Sequence, residues 1–260
     1  MPTQSSEGIK YFTFNDLGEG VVQAIISRQG GVSPEPWATL NLGGTVGDEH
    51  GRVRENRNLA LKALQRDPGS VYDVWQVHGV NVEIAEAPRA QTTQPVQADT
   101  ILSNTPGITL LMRFADCVPI FLYDPVRKVI GIAHAGWMGT VRGTVKSAVE
   151  AMQERFRCSP KDIRAGIGPS IGPDHYEIGA DVISQVRQAF GPEASGLLKE
   201  YPGGMHFDLW AANSLILRKA GVEQIETAGI CTACHTEDWY SHRAEHGRTG
   251  RFGAIIALDA

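Results

Sequence analysis

Five short apolar or alternating runs, Val71–Val77, Asn81–Ala85, Ile108–Phe114, Val118–Tyr123 and Val129–Ala133, crowd the middle of the chain and are separated by turns. Runs of this length and alternation read as strands, and strands so closely spaced must pair into sheets. Earlier, Tyr11–Phe14 and Val21–Ile26 flank Gly18-Glu19-Gly20 and predict a hairpin. Asp48 is placed to cap a helix through about Gln65, with Val53, Leu59, Leu61 and Leu64 on its buried face. Later, Gly139–Phe156 reads as one amphipathic helix carrying Val141, Val145, Ala148, Val149 and Met152. A strand at Ile163–Ile167, helices at Asp181–Phe190 and Asp208–Ala220, and a last strand at Phe252–Leu258 complete the pattern. The expectation is an α+β fold: mixed β-sheets in a sandwich flanked by helices, as a single domain over 1–260. The polar segment from Glu86 to Ala98 reads as an insertion, not a domain boundary.

Three possible metal ligands stand in this strand-rich region: His78 in Gln-Val-His-Gly, Cys117 in Ala-Asp-Cys-Val-Pro and His134 in Ala-His-Ala-Gly-Trp. Their spacing is too long for a zinc finger, so only the fold can bring them together. Two imidazoles and a thiolate suit Zn²⁺ and leave a fourth position for water or substrate. Each of the three falls near a strand end. Asp116, beside Cys117, is the expected outer partner of the ligands.

Composition narrows the setting. The chain is 42% hydrophobic and 20% charged, an ordinary globular balance, with a net charge of −5 that argues against nucleic-acid or anionic-membrane partners. No apolar run reaches the length of a membrane span. The N-terminus lacks the basic and apolar regions of a signal peptide, and four cysteines in 260 residues are no disulfide framework; a cytoplasmic location is expected.

The sequence resembles the YfiH family, also called the laccase-domain, peptidoglycan-editing-factor or purine nucleoside phosphorylase family. The likeness rests on Ser27-Arg28-Gln29-Gly30-Gly31-Val32-Ser33, Leu40-Asn41-Leu42-Gly43, Val46-Gly47-Asp48 and Glu55-Asn56-Arg57. It continues through Gln76-Val77-His78-Gly79, Ala98-Asp99, Ala115-Asp116-Cys117-Val118-Pro119 and His134-Ala135-Gly136-Trp137. Gly168-Pro169-Ser170-Ile171-Gly172-Pro173, Tyr176-Glu177, Asp208-Leu209-Trp210-Ala211-Ala212-Asn213 and Thr249-Gly250-Arg251 follow in order. The resemblance implies that His78, Cys117 and His134 bind zinc. It also implies phosphorolysis of adenosine, inosine and methylthioadenosine, with adenosine deamination. Purine nucleosides and phosphate are therefore the expected partners.

One departure stands out. The family usually reads His-Ala-Gly-Trp-Arg-Gly, and this chain has Met138 in place of the arginine. Arg142, one helical turn on, is the expected replacement. The expected catalytic groups are Cys117, Asp116 and Glu177, and the expected substrate contacts are Arg28, Asn41, Trp137, Arg142, Arg243 and Arg251. Trp75, Trp210, Trp239 and Tyr240 are expected in packing roles.

Other chemistries fit parts of the same pattern. One of the family's names suggests copper-dependent oxidation of polyphenols, and a Cys/His₂ site can hold one Cu²⁺. The eight histidines, with no His-x-His, speak against a multinuclear copper centre. Cys117 activated by His78 or His134 would instead make a cysteine hydrolase, acting on peptidoglycan precursors. Cys231-Thr232-Ala233-Cys234-His235 has the form of a haem-attachment or redox motif, and the expectation there is local structure near the site.

Overall fold

The computed structural model describes residues 3–90 and 92–259. Its strands, in chain order, are β1 Thr3–Ser6, β2 Ile9–Phe12, β3 Val21–Ile26, β4 Val71–Asp73, β5 Val82–Ile84, β6 Thr100–Ser103 and β7 Thr109–Phe114. Then come β8 Val118–Asp124, β9 Val129–Ala135, β10 Arg164–Ile167, β11 Leu198–Tyr201, β12 Gly204–Phe207, β13 Gln224–Thr227 and β14 Phe252–Leu258. The α-helices are α1 His50–Ala63, α2 Trp137–Arg142, α3 Thr144–Phe156, α4 Ala180–Phe190, α5 Ala194–Leu197 and α6 Leu209–Lys219.

Two six-stranded mixed sheets form, ordered β1-β2-β3-β14-β7-β4 and β13-β10-β8-β9-β6-β5, and β11 and β12 make a small separate hairpin. Side-chain alternation explains how they stack. On β14, Phe252, Ala254, Ile256 and Leu258 enter one core while Ile255 enters another. On β8, Phe121 and Tyr123 meet that shared core, and Val118, Ile120 and Leu122 turn the other way. The shared core is the filling of a sandwich, with Phe14 edge-on to Phe121 across it. The outer face of the first sheet packs on α1 through Ala60 and Leu61. The outer face of the second packs on α3, α4 and α6 through Val149, Val186 and Leu217. The α+β sandwich flanked by helices is therefore the observed architecture.

Three local expectations change. Asp48 does not cap α1: Glu49 takes the N-cap position, and the Asp48 carboxylate accepts from Ser33 Oγ and Asn41 Nδ2. Leu59 on that helix is only partly buried, while Asn56 is fully buried. The long helix over 139–156 is two helices, because Gly143 adopts a left-handed φ of 88° between α2 and α3. A helix cannot run through that conformation, and glycine adopts it at no steric cost. The α6 start is as expected, with the Asp208 side chain accepting from Ala211 N at 2.9 Å.

Candidate metal centre

Strand pairing brings the three candidate ligands to one end of the sandwich. In the β8–β9 ladder Pro119 faces His134 and Val118 faces Ala135, so Cys117, just before β8, lies beside the end of β9. Alternation with Ile130 and Ile132 turns His134 toward the shared core, where its ring packs 5.3 Å from Phe114. His78 comes from the turn between β4 and β5, with a φ of 58°. The two imidazole rings stand 4.9 Å apart, edge to face.

Asp99 assembles this arrangement. It precedes β6, which pairs with β9, and its carbonyl accepts His134 N at 2.7 Å. Its buried carboxylate accepts His134 Nδ1 at 2.8 Å and the backbone N–H groups of Val77, His78 and Gly79 at 3.1, 2.9 and 2.7 Å. One side chain thus orients the His134 ring and holds the whole His78 turn. A carboxylate only accepts, so Nδ1 carries a proton and Nε2 is the ring nitrogen left to ligate a metal. Burial pushes Asp99 up, but His134 and the turn amides outweigh it and hold the carboxyl below its usual range.

The outer partner expected from the sequence was Asp116, and the structure assigns that place to Asp99. Asp116 lines the same cavity, but its carboxylate is engaged with other partners, accepting Thr232 Oγ1 at 2.7 Å and Arg243 N at 2.6 Å. The Ala98-Asp99 motif was the available signal, but nothing in its spacing linked it to His134. Replacing Asp99 with Asn is expected to weaken affinity for an added divalent cation such as Zn²⁺ by about 10–100-fold, measured by competition with a chromophoric chelator. An unchanged affinity would remove Asp99 from this role.

The residues fit a metal ion. The donor atoms of His78, Cys117 and His134 all lie within 4.8 Å of one another. Cys117 Sγ is 3.9 Å from His78 Nε2, near the roughly 3.6 Å edge of a tetrahedral zinc site with these ligands. Gly136 makes room for them: a Cβ there would fall 2.8 Å from Cys117 Sγ and 3.3 Å from His78 Cδ2. Burial would raise the Cys117 thiol, yet the charge and hydrogen bond of His134, with His78, bring it down to about 6. His134 moves the opposite way, to about 9, because Cys117 and Asp99 outweigh its burial. Without metal the pair therefore rests at neutral pH as thiolate and imidazolium: the thiolate is the form that ligates, and metal binding displaces the remaining His134 proton.

The three donors line a cavity of about 720 Å³. Trp137, Met138 and Tyr176 form part of its wall, with the half-exposed Trp75. Five arginines also line it: Arg57, Arg89, Arg113, Arg243 and Arg251. Arg89 and Arg113 clasp Asp73 at 2.5 and 2.6 Å, and Arg57 stands 3.9 Å from it. Three guanidinium groups therefore share one carboxylate. Burial, and then repulsion from Arg113, lower Arg57 to about 10. Arg251 donates through Nη1 to the carbonyls of Thr249 and Gly250, and Nε and Nη2 have no protein partner among the described residues. Arg57, Arg89 and Arg113 were not foreseen as site residues, because they come from a helix, a loop and a strand far apart in the chain.

The other expected contacts divide. Trp137, Arg243 and Arg251 line the cavity. Arg243 stacks 5.1 Å over Tyr176 and donates to the Glu177 carbonyl at 3.0 Å. Arg142 does not line it: the side chain is exposed at the end of α2, so it does not replace the arginine absent at Met138. Arg28 lies away from the wall, paired with Glu245 at 2.9 Å and stacked 4.4 Å over Tyr240. Asn41 is buried and positions the wall, since its Oδ1 accepts Gly43 N and Arg251 N, each at 2.9 Å. Glu177 is exposed and outside the lining. Trp239 and Tyr240 are core residues, as expected, whereas Trp75 is a wall residue.

Residues 22–259 match the family described as multi-copper polyphenol oxidoreductase laccase. The chain belongs to this YfiH family. A family relative in Deinococcus radiodurans named purine nucleoside phosphorylase is 39% identical over 241 residues, covering 92% of this chain and 89% of its own. The crystal structure of YlmD from Geobacillus stearothermophilus superposes with a TM-score of 0.93 at 33% identity, covering 99% of this chain and 98% of that one. A YfiH-family structure from Bacillus licheniformis gives a TM-score of 0.91 at 30% identity, covering 99% of each chain.

Proposed function

We propose that this chain is a zinc-dependent purine nucleoside phosphorylase. It would convert adenosine, inosine or S-methyl-5′-thioadenosine and phosphate to the free base and a ribose 1-phosphate, and deaminate adenosine as a second activity. The observation that carries this reading is an open three-donor centre in a cavity with an excess of guanidinium charge. The names of the relatives support it.

Phosphorolysis needs an anion held against ribose C1′, while the C1′–N9 bond breaks and the departing purine gains a proton. Arg251 and Arg243 would hold the phosphate, and Arg251 has guanidinium nitrogens without a protein partner among the described residues. Trp137, Tyr176 and Trp75 offer apolar faces to the base, in a cavity of nucleoside size. When bound, zinc supplies Lewis-acid polarisation of a purine atom or of water. Asp99 keeps the His134 ring fixed, so the donors need no rearrangement during turnover.

The test incubates adenosine with and without phosphate and follows adenine, ribose 1-phosphate and inosine. Phosphate-dependent base release supports the phosphorylase, and inosine with ammonia supports the deaminase. Phenol oxidation by copper-loaded protein, with neither product formed, would replace the reading by the polyphenol one. A free Cys117 thiolate in protein without stoichiometric zinc would favour the cysteine-hydrolase reading, since Sγ is 3.9 Å from His78 Nε2.

Arg251→Ala is expected to raise KM for phosphate by about tenfold or more, the cost of a charge-assisted hydrogen bond. Arg142→Ala should leave it within about twofold, as for surface substitutions generally. The reverse pattern would return the anion-holding role to Arg142.

A further inference from the structure

A second group of metal-ligand side chains lies outside the centre described above. Asp174, His175, Cys231 and Cys234 each direct a donor atom to one place, all within 4.8 Å of one another. The two cysteines form a Cys-x-x-Cys turn, and Asp174 and His175 come from the segment after β10. Backbone pairing fixes the two segments side by side: Ser170 N donates to Ile230 O at 3.1 Å and Thr232 N to Ser170 O at 3.0 Å.

Hydrogen bonding does not account for the convergence. His175 Nδ1 stands 3.0 Å from Asp174 Oδ2, 3.5 Å from Cys234 Sγ and 3.8 Å from Cys231 Sγ. That nitrogen has either one proton or one lone pair, so it can serve only one of three partners. A cation among the four would engage all of them. Cys234 Sγ lies 3.4 Å from Asp174 Oδ2. Three of these four separations fall at the edges of a zinc tetrahedron with sulfur, nitrogen and oxygen ligands, about 3.3–3.8 Å, and the His175–Asp174 separation is the short one at 3.0 Å. Gly172 N donates to Cys231 Sγ at 3.1 Å, a backbone bond suited to a thiolate. Gly172 must lack a side chain, because a Cβ would fall 2.6 Å from Asp174 Oδ1 and 3.0 Å from Cys231 Cβ.

We propose that Asp174, His175, Cys231 and Cys234 form a second, closed site for a thiophilic divalent cation of the zinc class. Four protein donors leave no open position, so its role is structural. Binding releases the thiol protons to solvent and changes no oxidation state. The site ties together the two segments behind the first centre. One carries Ile171 and Tyr176 to the cavity wall, and the other carries Thr232, which donates to Asp116 at 2.7 Å. The motif expected to be mere local structure thus gains a ligand.

The test counts zinc in protein purified under reducing conditions without added chelator, and follows Co²⁺ binding by its thiolate charge-transfer absorption. Wild type should hold about two equivalents. Cys234→Ser and His175→Ala, both at exposed positions, should each hold about one and keep the first centre. Cys117→Ala should also hold about one, and its cobalt form should keep an absorption of two-thiolate intensity. A wild-type count of one that disappears in Cys117→Ala would overturn the proposal. So would a count unchanged in Cys234→Ser and His175→Ala, or a Cys117→Ala protein whose reduced Cys231 and Cys234 bind no Co²⁺. Should any variant fail to fold, Co²⁺ titration of the wild type decides, because two saturation steps are required.

Discussion

Gly136→Ala is expected to displace the ligands of the metal centre and lower nucleoside turnover by about 100-fold or more. The added methyl would sit 2.8 Å from Cys117 Sγ and 3.3 Å from His78 Cδ2. Neither neighbour can retreat easily. Cys117 is anchored where β8 begins, and the His78 turn is fixed by three N–H bonds to Asp99. Backbone shift or loss of a ligand is what remains. Zinc content per chain and turnover should therefore fall together, while far-ultraviolet circular dichroism stays that of the wild type. Gly44→Ala is the control: it also lies on the cavity wall, but a Cβ there would meet only Arg57 Nη2 at 3.8 Å. Full zinc occupancy in Gly136→Ala would sink the claim that this close approach shapes the centre.

Asp73→Asn should destabilise the protein by about 3–5 kcal/mol, the usual cost of stranding buried charge. Arg57, Arg89 and Arg113 would lose their shared anion while remaining crowded. The same carboxylate sets an acid limit. Burial raises its pKa, but the charge of Arg113 and the bond and charge of Arg89 prevail and lower it below 3.8. A depressed folded pKa gives stability that is present above the unfolded value and lost as pH falls through the folded one. The wild type should thus lose this contribution only below pH about 4, and the variant should show no such loss from this position. Phosphate should restore more thermal stability to the variant than to the wild type, by replacing the missing anion. Equal melting temperatures for variant and wild type at pH 7 would contradict the account.

Much of the fold was legible because burial on both faces leaves a strong mark in sequence. β14 was expected over Phe252–Leu258 and is observed there, since every residue in it is buried. β8 and β9 were read for the same reason. β1, β6, β11, β12 and β13 were missed: they are four residues each, and β11 and β13 are partly exposed, with no alternation to reveal them. The α2–α3 break was hidden because apolar spacing continues across it, while the turn depends on Gly143 and on Thr144 Oγ1 donating to Gly139 O. At the site, His78, Cys117 and His134 were legible by residue type. Their organiser was not, because Asp99 acts through a strand register and three amides that no local pattern encodes. Arg142 misled for the opposite reason. One helical turn puts it in line with Met138, but α2 is a single short helix whose last residue faces solvent.

The three donors do not hold on equally. Cys117 and His134 belong to one hairpin, locked by the register of two fully buried strands. His78 sits on a turn whose φ of 58° is uncommon for a residue with a side chain, kept there by the Asp99 carboxylate and by Thr144 Oγ1 donating to Gly79 O at 2.7 Å. Exchange of the bound ion should accordingly be a one-hinge process. The hairpin pair should keep its grip while the His78 turn swings away, so the off-rate should follow the opening of the turn's own bonds to Asp99 and Thr144, with the His134–Asp99 bond intact.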